Sequence, residues 1–189
     1  AVMCRLFGLI ANTPASVQHW MLESLRPFRD WSDPHSHGWG VGWYGASGLV
    51  VVKEPGPASD SAKFSETAST IRSRISICHL RKATCGEHIS KNTHPFSSGT
   101  WLFAHNGTID GDHFRSRLSD EHRSALIRDA DSEVYFHWLL QGMEQFGIDG
   151  MSSAIRELRE REFTALNFVM SDGRSLYAYW EQAPSAIPP

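Results

Sequence analysis

The sequence is poor in cysteine, has no long apolar run and carries little excess charge. Three cysteines in 189 residues, an odd and small number, argue against a disulfide scaffold and for a reducing compartment. No apolar run approaches the roughly 20 residues that a membrane helix needs; Leu49 to Val52 is a typical short one. The N-terminus lacks the long apolar stretch of a signal peptide. A net charge of −3 gives no electrostatic reason to expect nucleic acid or an anionic membrane as partner. Histidines 35, 37, 79, 88, 94 and 105 with Cys78 and Cys85 show no tight CxxC or HxxxH pair, so no metal is expected. Gly38-Trp-Gly-Val-Gly42 lacks the spacing and the following helix of a phosphate loop, and close backbone approach or sheet packing explains it better. The expectation is a cytoplasmic protein with no internal repeat or linker.

What is present is an ordinary globular composition, 41% hydrophobic and 21% charged, with length for one domain over residues 1–189. Cys4 to Ile10 reads as a buried strand stopped by the turn signal Asn12-Thr-Pro14. Val17, Met21, Leu22 and Leu25 fall at helical spacing. Gly40 to Tyr44 and Leu49 to Lys53 read as a hairpin. Ser65 to Arg74 is expected to be helical, Ile75 to Leu80 a strand, and Gly86 to Gly99 a long polar loop, a length usually tied to function. Thr100 to His105 is a strand running into the turn dipeptide Asn106-Gly107. Helices are expected at Asp112 to Leu118, Ser132 to Phe146 and Met151 to Glu160. Thr164 to Met170 and Ser175 to Trp180 form a last hairpin turning at Asp172-Gly173. Strands, then helices, then strands, without steady βαβ alternation, point to an α+β fold of antiparallel sheets with helices on their outer faces.

Several residues admit two readings. Cys4, opening a buried strand, is on one reading a small core hydrophobe. On the other, with Ala1, Val2 and Met3 removed, it carries a free α-amine beside its thiol, a nucleophile and base within one residue. His105-Asn106-Gly107 is a plain turn, or an oxyanion hole built from an Asn amide and the N–H of an open Gly. Arg81, at a strand end, is a solvated cation or a bidentate clamp for a carboxylate. Asp131 starts a helix, where Asp is a common N-cap; its other reading is a partner for a substrate ammonium group.

Six segments occur together in order: Met3-Cys-Arg-Leu-Phe-Gly8, His37-Gly-Trp-Gly-Val-Gly42, His79-Leu-Arg-Lys-Ala-Thr84, Asn92-Thr-His-Pro-Phe96, Phe103-Ala-His-Asn-Gly107 and Asp131-Ser-Glu133. With them the chain resembles the class II glutamine amidotransferases, a branch of the N-terminal nucleophile hydrolases. Its flavour is that of small stand-alone members, including those resembling the γ-glutamyl amidase of ergothioneine synthesis. The resemblance implies a four-layer αββα sandwich of two antiparallel sheets. It also implies Cys4 as nucleophile, Asn106 and Gly107 as oxyanion hole, Arg81 on the α-carboxylate and Asp131 on the α-ammonium of a glutamyl group. Thr84 and His94 would line the pocket. Lys82 and Cys85 depart from the Trp and His of synthase-linked members, so the pocket wall differs. The chain also ends soon after Trp180, where the family pattern implies further strands.

The expected reaction is hydrolysis of the γ-amide of glutamine or a γ-glutamyl compound through a cysteine thioester, with no cofactor. The alternatives are a glutaminase that feeds ammonia to a protein partner, and a catalytically silent domain that binds γ-glutamyl ligands.

Overall fold

A computed structural model describes residues 4–35, 37–82, 93–127 and 130–184, with backbone alone at 34 and 35. The chain falls into two compact units. One comprises residues 1–106 and 168–179, the other 107–167 and 180–189.

The first unit is built on two four-stranded sheets. In one, β1 (Arg5–Ser16), β4 (Arg72–Leu80), β2 (Trp39–Gly45) and β3 (Gly48–Glu54) lie side by side in that order, every pairing antiparallel. The other has the order β5 (Phe96–Ser98), β6 (Trp101–Asn106), β7 (Asn167–Ser171), β8 (Leu176–Tyr179), with β5–β6 and β7–β8 antiparallel. Alternation along β4 explains how both faces are used. Ile77 packs with Leu102, Ala104 and Val169 between the sheets, whereas Cys78 and Leu80 point the other way. There they meet Val17, Met21, Trp39, Val41 and Phe64, the last from helix α1 (Ala62–Thr70). A buried side chain of this size is worth about 2–3 kcal/mol, so this layer holds α1 to the sheet. Ser61 caps α1 by accepting the Phe64 N–H at 3.0 Å. The α+β expectation, with two stacked antiparallel sheets, holds.

Three local expectations are corrected. Asn12-Thr-Pro14 does not stop the first strand: β1 continues to Ser16 through an irregularity between Ile10 and Ala15, which absorbs the proline without a turn. Arg72 and Ser73 are not the end of a helix but the start of β4, paired with Ser16 and Ala15. The Ser73 hydroxyl pins this start, donating to the Tyr44 carbonyl at 2.9 Å. The helix expected over Val17 to Leu25 shrinks to a π-helical turn, His19–Glu23, ended by Ser24 in extended backbone. A 3-10 helix spans Phe28–His35.

The second unit carries α2 (Gly111–Arg117), α3 (Asp120–Ser124) and α4 (Asp131–Arg159). Phe146 and Gly147 leave helical backbone, Gly147 with φ +60°, and split α4 into the two helical stretches that the sequence pattern implies. The two stretches meet where a Cβ on Gly150 would lie 1.8 Å from the Gly142 carbonyl oxygen, so only glycine permits the approach. A chain of side chains, buried at its two histidines, links α3 to α4. His122 Nδ1 faces His137 Nδ1 at 3.1 Å, and His122 Nε2 meets the Glu144 carboxylate at 3.0 Å. Burial lowers the His137 imidazole to about 4, with a further push from His122.

No helix among the described residues is long and apolar enough to cross a membrane.

Candidate active site

The register of the first sheet brings Cys4 and Arg81 to one end. Arg5 pairs with Leu80 on one side of β4, and Trp39 pairs with Leu80 on the other. Arg81 extends this ladder: its N–H donates to Gly38 O at 2.7 Å, and its carbonyl accepts the His37 N–H at 3.2 Å. Gly38 has φ +144°, and a Cβ there would lie 2.8 Å from Thr93 Oγ1, so the close approach needs a glycine. Arg81 is 7% exposed.

The Cys4 side chain rests on the main chain of Lys82. The Lys82 N–H donates to Sγ at 3.2 Å, and the thiol donates to the Lys82 carbonyl at 3.4 Å. The Cys4 carbonyl is held as well, by Asn106 Nδ2–H at 3.1 Å and Arg5 Nη1–H at 3.5 Å. Burial pushes the thiol above its ordinary value, while the Lys82 N–H and the Arg81 guanidinium draw it back. Three of the residues singled out in the sequence, Cys4, Arg81 and Asn106, therefore gather at one sheet end.

His94 lies in the layer beside them. Its ring stands 4.5 Å from the His79 ring and 4.3 Å from Phe96. Its carbonyl oxygen fills the space above Gly40, where a Cβ would be 2.1 Å away. Burial, and then the charge of Arg81, lowers His79 to about 3; burial and His79 lower His94 well below the ordinary value. Both imidazoles are neutral. Sequence reasoning passed over His79, although its position two residues before Arg81 on a strand assigns both to one face. It passed over the main chain of Lys82 too, for which no sequence signal exists.

The remaining candidates lie elsewhere in the chain. Gly107 and Asp131 belong to the second unit. Gly107 has φ +145°, and a Cβ there would be 1.9 Å from the Ala165 carbonyl oxygen. Asp131 is the first residue of α4. One carboxylate oxygen accepts the Ile109 N–H at 3.0 Å and the other the Ser132 N–H at 2.8 Å, so the carboxylate is fixed between a loop and a helix start. Thr84 and Cys85 lie outside the described residues. Among those described, no group of three or more His, Cys, Asp or Glu is placed to hold a metal ion.

The family model of the class-II glutamine amidotransferases matches residues 3–188. An uncharacterized protein of Methanocaldococcus jannaschii is 32% identical over 188 residues, which cover 94% of this chain and 50% of that protein. A γ-glutamyl-hercynylcysteine sulfoxide hydrolase of Mycolicibacterium smegmatis is 30% identical over 76% of this chain and 60% of its own length. The chain thus spans about half to three-fifths of these two relatives. Among solved structures, a glutamine aminotransferase class-II domain protein from Silicibacter pomeroyi superposes with a TM-score of 0.62 at 28% identity, over 77% of this chain and 69% of that one. The chain belongs to the class-II glutamine amidotransferases.

Proposed function

We propose that the chain hydrolyses the γ-amide of glutamine or of a γ-glutamyl compound through a thioester on Cys4. What supports this most directly is that Asn106 donates to the Cys4 carbonyl while the charge of Arg81 acts on the Cys4 thiol. In the reaction, sulfur attacks the amide carbon and the carbonyl electrons move to oxygen. Asn106 Nδ2–H and Gly107 N–H stabilise that oxyanion. Collapse expels ammonia or an amine, which takes the proton removed from the thiol. Water then attacks the thioester and glutamate leaves. Arg81 pairs with the α-carboxylate and Asp131 with the α-ammonium, while Thr84 and His94 line the pocket. The base is the α-amine of Cys4 once residues 1–3 are removed, because a free amine titrates near working pH and an amide nitrogen does not. His94 is a poor substitute, since burial and its neighbours disfavour its protonation.

A substituted γ-glutamyl amide is the favoured substrate. One relative carries the name of a γ-glutamyl hydrolase, and Lys82 and Cys85 depart from the wall found in glutamine-dependent synthases.

The test compares the full chain with a form beginning at Cys4, assayed with glutamine and a panel of γ-glutamyl amides. Labelling of Cys4 by an electrophilic glutamine analogue is read by mass spectrometry. The processed form should turn over and the full chain should not. Equal rates for both would remove the α-amine as base. Binding without any turnover by the processed form would instead identify a silent binding domain.

A further inference from the structure

The main chain of Lys82 touches the sulfur of Cys4 twice, through a donor at 3.2 Å and an acceptor at 3.4 Å. A sulfur held by both kinds of group has a defined partner in each protonation state. As a thiol it donates to the carbonyl. As a thiolate it has nothing to give the carbonyl, and its partner is the N–H, a bond strengthened by the negative charge. We propose that the main chain of Lys82 is a catalytic group of this site, its carbonyl orienting the resting thiol and its N–H holding the thiolate that attacks the substrate. The inference deepens the proposed amidase reading and rests on it for the identity of the nucleophile.

Proton and electrons are accounted for simply. The S–H bond breaks, the electron pair stays on sulfur, and the proton passes to the α-amine of processed Cys4. Sulfur then exchanges an O=C acceptor for an N–H donor on the same residue without leaving its place. Position 82 is fixed for this by the ladder just before it, where Arg81 N–H and C=O bond to Gly38 and His37. The group that acts belongs to the backbone, so the side chain is free to vary with the substrate.

The experiment needs no glutamyl substrate, so its result and that of the amidase assay are separable. The full chain is prepared with the α-hydroxy acid analogue of lysine at position 82, which turns the Arg81–Lys82 amide into an ester, removing the N–H and weakening the Arg81 carbonyl that accepts from His37. Alkylation by iodoacetamide is followed at the Cys4 peptide by mass spectrometry across pH. A hydrogen bond to a charged group is worth enough to predict about tenfold slower alkylation at neutral pH in the ester, with the profile displaced to higher pH. An unchanged profile in a folded ester variant overturns the proposal. In the unmodified chain, the Lys82 amide proton followed by NMR should move downfield with the midpoint of Cys4 alkylation. An amide that ignores the titration overturns the proposal independently, even where the ester does not fold.

Discussion

The side-chain amide of Asn106 donates to the main-chain carbonyl of Cys4 at 3.1 Å. An Asn amide has two hydrogens; one fixes the Cys4 backbone, and in the proposed reaction the second serves the oxyanion. Asn106→Ala should lower kcat by about 10²–10³ and leave KM nearly unchanged, as loss of one oxyanion donor does elsewhere. Steady-state kinetics of the processed enzyme check this. A loss confined to KM would remove Asn106 from the oxyanion hole.

Arg81→Gln should raise KM roughly 10- to 100-fold, the worth of a charge-assisted bond. Arg81→Lys should recover only part of this, because an ammonium lacks the planar fork. The decisive measurement uses an amide lacking the α-carboxylate. The unmodified enzyme should discriminate against it strongly, and Arg81→Gln should not.

Gly40→Ala should destabilise the first unit by about 1–3 kcal/mol, as overpacking does, because the added methyl meets the His94 carbonyl oxygen at 2.1 Å. The denaturation midpoint measures the loss. Gly107→Ala should cost at least as much, since its φ of +145° also disfavours any side chain.

Stability should fall with acid before the carboxylates titrate. His79 and His137 are lowered in the folded state to about 3 and about 4, from 6.5. Below pH 6.5 the unfolded chain therefore binds protons that the folded chain refuses. The stabilisation is fully present above about pH 6.5 and is lost progressively as pH falls toward those folded values. At about 1.4 kcal/mol per unit, the two together contribute several kcal/mol. Urea denaturation between pH 4 and 7 should show this slope, and His79→Phe should flatten it.

Part of the candidate site was legible because it is written in side chains at strand ends. Arg81 could be found from its place after Ile75 to Leu80, and Asn106-Gly107 from the turn after Thr100 to His105. The start of β4 was not legible. Arg72 and Ser73 read locally as helix, and only pairing with Ser16 and Ala15, more than 50 residues away in sequence, makes them strand. Asn12-Thr-Pro14 misled for the same reason, since a bulge and a turn use the same residues. The Lys82 contact with Cys4 spans 78 positions and involves no side chain of Lys82, so no local pattern encodes it.

The chain Glu144–His122–His137 has a consequence of its own. Two Nδ1 atoms 3.1 Å apart can share one hydrogen and no more. Neutral His122 spends its hydrogen on Glu144, so it must accept at Nδ1, and His137 must be the Nδ1–H tautomer. A bond to an exposed carboxylate is thereby transcribed into the tautomer of a histidine 3% exposed, inside α4.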